Sequence, residues 1–302
     1  MPPRFGDQAT TEVPEADQIP FSLERPYPIT NLKPVKVPLP YYVDRGKMIL
    51  RPETRRFWKF ASWYAIASCA IICKVFLKFC TSSTTVYNKE PFLKVLMDPN
   101  RTRPILTVAN HLSTVDDPLL WGSLPFRAIL NLQRVRWTLG AQEICFKTPT
   151  RSLFFALGQV IPTVRGAGIY QPAMNFAIEK LNEGKWVHMF PEGKVNQTVD
   201  MLRFKWGIGR LMMESTNLPI MVPLWHKGFE EIMPENRNHP RFPILGKKIV
   251  IAYGNPIDFK DLLIDYHEGK ANEVLTRISI TDTIFRAMDE LQKNVEARKL
   301  ND

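Results

Sequence analysis

The chain has 302 residues, 45% of them hydrophobic and 23% charged, enough to bury one sizeable core and of the size of a single α/β domain with extensions. Forty basic against 30 acidic side chains leave a net charge of +10, which asks for an acidic partner; the chain carries no nucleic-acid motif, no phosphate-loop sequence and no zinc spacing of cysteines, so nucleic acid is set aside as that partner. Basic residues flank apolar stretches instead, as they do in proteins that sit on a membrane surface.

The first 46 residues hold nine of the 25 prolines and little apolar periodicity. Residues 1–48 therefore read as an extended or disordered Pro-rich segment. No apolar stretch follows the start, as a signal peptide requires, and Asp7, Glu12, Glu15 and Asp17 are too acidic for a transit peptide. Residues 49–82 form the next unit. Fourteen residues from Phe60 to Cys73 carry no charge, fewer than the roughly 20 that a standard span needs. Lys74 and Lys78 follow, and Trp58 and Trp63 stand beside Arg55, Arg56 and Lys59. Aromatic and basic residues gather at membrane interfaces, so Phe57–Phe79 is expected to be an interfacial or re-entrant helix. Cys69, Cys73 and Cys80 in or beside it, with Cys145, show no disulfide framework and read as small core residues.

Residues 83–302 read as the catalytic domain. Strand-like runs at Ile105–Val108, Val160–Val164, Trp186–Phe190, Ile220–Leu224 and Ile249–Tyr253 alternate with helical patterns at Pro118–Ile129, Pro172–Asn182 and Ile208–Ser215. An amphipathic tail runs around Ile284, Met288, Leu291 and Val295. Such alternation predicts an α/β layer with a mostly parallel sheet flanked by helices. The two prolines in Pro219–Leu224 suit an edge or terminal strand, and Pro234–Pro243 reads as a surface loop.

Four blocks carry chemistry. In Asn110-His111-Leu112-Ser113-Thr114-Val115-Asp116-Asp117-Pro118, a histidine is followed five residues on by a carboxylate. Histidine is the usual general base near neutral pH, and a carboxylate on its far nitrogen fixes the tautomer and stabilises the imidazolium. On one continuous helix the pair would point ~140° apart. Asp117 as N-cap and Pro118 as first helical residue place His111 and Asp116 in the turn before a helix instead. Val160–Val164 ends in Arg165-Gly166, where a planar guanidinium suits a phosphate. Trp186–Phe190 ends in Pro191-Glu192-Gly193-Lys194, at the strand end where open α/β sheets hold ligands. The fourth block is Pro219–Leu224. His188 reads as a core or near-site residue, His226 as one that approaches the site, and His239 and His267 as loop residues.

In this order the blocks resemble the glycerolipid acyltransferase superfamily. Lys194-Val195 stands where that superfamily usually has Ser or Thr then Arg, and the Gly158-to-Arg165 interval is one residue longer. Both look like variants of its CoA-independent transacylase branch, as does Leu202-Arg203-Phe204-Lys205-Trp206-Gly207-Ile208-Gly209-Arg210. The resemblance covers about Phe57 to the C-terminus. It implies a phospholipid–lysophospholipid transacylase in which His111 is the base and Asp116 its partner. Arg165, Lys194 and Arg203 would hold lipid phosphate, and Glu192 with Gly193 would position the glycerol or a basic neighbour. It also implies phospholipid, lysophospholipid and cardiolipin as substrates, no cofactor and no metal. The implied location is a mitochondrial membrane, peripheral or monotopic and facing the intermembrane space, reached by an internal address. No Gly-x-Ser-x-Gly motif supports a serine route. An acyl-CoA-dependent lysophospholipid acyltransferase shares the dyad and is the first alternative. A non-catalytic membrane scaffold is the second, and it has no need of His111, Asp116 and Glu192.

Overall fold

The computed structural model describes residues 36–44, 47–198, 200–235 and 242–299. The Pro-rich stretch up to residue 35, the middle of the 234–243 loop and His239 lie outside the described residues. The end of the Pro-rich segment forms a hairpin, β1 (Tyr41–Asp44) antiparallel to β2 (Lys47–Leu50). Tyr41, Met48 and Leu50 are buried in the main core, and the Tyr41 hydroxyl donates to the Val160 carbonyl at 2.7 Å. This end of the segment is thus tied to the body of the protein.

Helix α1 (Arg56–Val75) runs on through a π-turn, Phe76–Cys80. Together they make 25 residues whose most apolar 18-residue stretch has a mean hydropathy of 1.8, long and apolar enough to cross a membrane, although a third of that stretch is buried against the chain. Trp58, Ile66, Ala67, Ala70, Cys73 and Leu77 recur at helical spacing and face inwards. Phe57, Phe60, Tyr64, Ile71, Ile72, Val75 and Phe79 form an exposed apolar side. Lys74 turns into the fold: its Nζ donates to the Gly122 carbonyl at 3.0 Å and lies 5.0 Å from the Phe126 ring centre.

After α1 come β3 (Thr81–Tyr87), α2 (Lys89–Met97), β4 (Ile105–Ala109), α3 (Asp116–Gly122), α4 (Phe126–Ile129), β5 (Trp137–Ala141), α5 (Gln142–Cys145) and α6 (Pro149–Leu157). Then follow β6 (Val160–Thr163), α7 (Pro172–Asn182), β7 (Trp186–Met189), α8 (Gly207–Glu214), β8 (Ile220–Lys227), α9 (Phe229–Ile232), β9 (Lys247–Tyr253), α10 (Lys260–His267) and α11 (Glu273–Lys299). His267 therefore ends a helix and does not lie in a loop.

Seven strands form one sheet in the order β3-β9-β8-β4-β7-β5-β6, parallel throughout except for β8 against β9. The mostly parallel layer expected from the alternation is thus present. Every residue of β4 is buried, because both faces of the sheet are covered. Leu106 and Val108 point into a core shared with α7, α8 and α11. Ile105 and Ala109 point into a second core with α1, α2 and α3. The β8 strand, expected at an edge, is interior. Its Pro223 is tolerated because antiparallel pairing with β9 begins only at Leu224 opposite Tyr253. The Pro118–Ile129 helix is broken in two at Pro125, which cannot donate to the turn before it. A Cβ at Gly122 would sit 2.8 Å from the Cys73 Cβ, so glycine lets α3 press directly on α1.

Candidate active site

The site lies at the C-terminal ends of the parallel strands, where loops after β4, β6 and β7 meet. β4 leads through Asn110 into His111. The chain then turns back, and α3 starts at Asp116, with Val115 as N-cap, two residues before the expected Asp117 cap. Asp116 folds its carboxylate over that turn. Oδ2 accepts from the backbone N–H of Leu112 at 2.6 Å and of Ser113 at 2.8 Å, and from His111 Nδ1 at 2.9 Å. Three donors on one oxygen suit a carboxylate acceptor. Asp116 is fully buried, and His111 keeps 18% of its side chain exposed. With Nδ1–H committed to Asp116, Nε2 is the basic nitrogen, and the His111 ring lines a cavity.

The backbone of His111 is held from both sides. Its N–H donates to Glu192 Oε1 at 2.9 Å, and its carbonyl accepts from the Asn196 N–H at 2.7 Å. Glu192 Oε2 accepts from Asn196 Nδ2 at 3.1 Å and from the Leu202 N–H at 2.9 Å. Glu192, read from the resemblance as positioning the glycerol or a basic neighbour, accepts from protein donors at both oxygens, and its carboxylate ties the loop after β7 to His111. Gly193, at φ +75°, supplies the left-handed turn that lets the chain double back beside it. The Phe190 ring stacks on His111 with centroids 4.3 Å apart. The His188 ring meets the same Phe190 at right angles, with centroids 4.6 Å apart. Burial pushes the His188 pKa down to about 3, so this imidazole is neutral, and its Nδ1 is bonded to Thr107 Oγ1 at 2.8 Å.

The cavity has a volume of about 1320 Å³. Ile66, Cys69 and Ala70 of α1, Trp121, Ile129 and Phe155 form much of its apolar wall. Cations stand around it: Arg165, Lys194 and Arg203, the three named from the sequence, with Lys205, Arg134 and Arg136 added by the fold. Arg165 is half-exposed, and its Nε lies 3.3 Å from Glu143 Oε1. Arg203 packs over Trp206, 5.5 Å from the ring centre. The loop after Arg165 contains Gly166 and Gly168, both near φ +80°, with open space where a Cβ would be. The Gln171 side chain clamps that loop through Val164 and Gly168.

Sequence reasoning did not find the Asp117–Arg136 ion pair on the cavity wall. Asp117 also accepts from Trp121 Nε1 at 2.9 Å, and Arg136 Nη1 donates to the Gly158 carbonyl at 3.0 Å. Burial alone would push the Asp117 carboxyl up, but Arg136 outweighs it and holds the carboxyl below its usual value. Nothing in the sequence marks this pair beyond the second acid of Asp116-Asp117. Among the described residues no cluster of His, Cys, Asp and Glu could hold a metal ion.

A histidine–carboxylate pair on a mostly parallel sheet, opening into an apolar cavity with a cationic edge, fits an acyltransferase, and residues 83–227 match the family model described as Acyltransferase. Tafazzin of Drosophila melanogaster is 38% identical over 263 residues, covering 87% of this chain and 68% of that protein. N-acylphosphatidylethanolamine synthase of Arabidopsis thaliana is 40% identical over 200 residues, 64% of this chain and 69% of that protein. The crystal structure of the 1-acyl-sn-glycerophosphate acyltransferase PlsC from Thermotoga maritima shares the fold, with a TM-score of 0.51 at 20% identity, over 80% of this chain and 86% of that one. The chain belongs to the tafazzin family.

Proposed function

We propose that this chain is a CoA-independent transacylase that moves acyl chains between phospholipids and lysophospholipids. One observation carries the reading: the His111–Asp116 dyad opens on a single apolar cavity of about 1320 Å³, larger than most small-molecule sites and suited to acyl chains. In the proposed reaction His111 Nε2 takes the proton of the free hydroxyl of the lysophospholipid. That oxygen attacks the acyl ester carbonyl of a donor phospholipid. The tetrahedral intermediate collapses, the donor's glycerol oxygen leaves, and His111 returns the proton to it. One ester forms and one breaks, and a new lysophospholipid departs. Asp116 holds the imidazolium between the two transfers. Arg165, Lys194 and Arg203 are proposed to hold the lipid phosphates, with Glu143 giving way to phosphate at Arg165.

Family membership supports cardiolipin as the remodelled lipid and a mitochondrial membrane facing the intermembrane space as the location. The exposed apolar side of α1 supports a monotopic placement. Residues 49–82 would lie in the interface, and the catalytic domain, 83–302, would rest on that surface. The test mixes the purified chain with vesicles of acyl-labelled phosphatidylcholine and a lysophospholipid, without CoA. Label moving into new phospholipid, with lysophosphatidylcholine formed in equal amount, is the expected result. A second arm replaces the labelled phosphatidylcholine with labelled acyl-CoA, and transfer in that arm alone selects the acyl-CoA-dependent alternative. A third arm adds phosphatidylethanolamine to the vesicles, and label appearing as an amide on it selects the chemistry in the name of the Arabidopsis relative.

A further inference from the structure

Asn110 and His226 hold one another. Asn110 Nδ2 donates to the His226 carbonyl at 2.9 Å, and the His226 N–H donates to Asn110 Oδ1 at 3.0 Å. The third bond joins His226 Nε2 to the Asn110 carbonyl at 2.8 Å. The last paired residues of β4 and β8 are Ala109 and Leu224, so the clasp extends the junction of the two strands with side chains. Both residues are buried, and the His226 ring packs against Phe229 with centroids 4.8 Å apart. The peptide that the clasp grips is the one leading into His111. The same imidazole also faces the dyad, with its Nε2 3.7 Å from Asp116 Oδ2.

We infer that His226 is a positioning residue for the dyad: it fixes the Asn110–His111 peptide and packs behind Asp116, so that the His111 ring stays aligned with its carboxylate. The inference rests on the dyad reading above. A carbonyl can only accept, so Nε2 carries the proton. Burial pushes the His226 pKa below its usual value, which favours the neutral ring beside Asp116. His226 is not among the residues lining the cavity, so it acts through Asn110 and Asp116 and does not touch the lipid.

The test uses the full chain with phosphatidylcholine vesicles, titrating lysophospholipid against wild type, His226→Phe, His226→Gln and His111→Ala. Phenylalanine keeps a ring against Phe229 and cannot donate. The glutamine amide reaches the Nε2 position and can donate to Asn110. An error of about 1 Å in a catalytic geometry costs about 10²-fold, so His226→Phe is expected to lose about that much in kcat with KM for lysophospholipid changed by less than about threefold, and His226→Gln to return to within about fivefold of wild type. If the phenylalanine protein does not fold, His226→Asn, whose shorter amide falls at the Nδ1 position, is the non-donating variant. Unchanged kcat per folded molecule in the non-donating variant overturns the inference, as does a glutamine variant no better than it. His111→Ala separates the two readings. Activity retained there defeats the dyad itself and the His226 inference with it. Loss there beside full activity in the non-donating His226 variant defeats only the inference.

Discussion

Glu192→Gln separates two roles open to a buried carboxylate at the end of β7. Glu192 is 2% exposed and accepts three hydrogen bonds, one at Oε1 from His111 N–H and two at Oε2 from Asn196 and Leu202. A glutamine has one acceptor oxygen. Its better orientation keeps that oxygen on the two-donor side and turns the amide N–H₂ towards the His111 N–H. One charge-assisted bond, worth about 1.5–3 kcal/mol, is then lost, and the other two weaken to neutral strength. The expected destabilisation is about 3–4 kcal/mol, with little screening to discount at this burial. For a chain of this size that lowers Tm by about 6–8 °C. The His111 backbone loses an anchor, so kcat falls as well, while KM for lysophospholipid holds. Thermal unfolding and the vesicle assay, run on one preparation, check both. An unchanged Tm with a raised KM would refute the bracing role and return Glu192 to the substrate.

Asp116→Asn is expected to lower kcat by about 10⁴-fold, because an amide can select the wrong His111 tautomer; activity within a few-fold of wild type would remove the dyad from the reaction. Arg165→Lys keeps the charge and loses the planar fork, so affinity for lysophospholipid should fall in the vesicle assay, and an unchanged KM would exclude Arg165 as the phosphate ligand. Ile72, 68% exposed on the outer side of α1, is expected to lie in lipid; Ile72→Glu should weaken vesicle binding by about 2–3 kcal/mol on the insertion scale, and unchanged co-sedimentation would place that side in water. His188 titrates near 6.5 when unfolded and near 3 when folded. The unfolded chain therefore binds one more proton across that window, and stability present above pH 6.5 is lost as pH falls towards 3. Replacing it as His188→Asn should flatten the acid limb of urea-unfolding free energy by about 1.4 kcal/mol per pH unit, and an identical slope would mean that His188 is not the group responsible.

The interior strands were legible because burial on both faces leaves continuous apolar runs in β4, β7 and β8. The bounds of α7, Pro172–Asn182, were read correctly, with proline at its start. Strand β3, Thr-Ser-Ser-Thr-Thr-Val-Tyr, was not legible. It is an edge strand with one side open, so its composition is polar. Strand β5 carries Gly140, whose missing Cβ would meet Val160 Cγ1 at 2.5 Å; the close packing that places glycine there also erases the strand signal. In the site, motif spacing located His111 and Asp116 because both lie on one turn. It could not say that Glu192 faces inwards, because that depends on donors from Asn196 and Leu202. It could not place His226 against Asn110 either, since 116 residues separate them and only the β4–β8 pairing brings them together.

Helix α1 has two surfaces with different duties. Ile66, Cys69 and Ala70 are part of the cavity wall, while Ile71, Ile72 and Val75 face outwards. If the outer side rests in lipid as proposed, reaction chamber and bilayer share one partition a single helix thick. A lipid then reaches His111 by moving sideways, without its chains crossing water. Catalytic rate becomes a function of mole fraction in the leaflet and not of bulk concentration. Diluting substrate with inert lipid at constant total lipid should slow turnover, whereas diluting all vesicles together, once the protein is bound, should not.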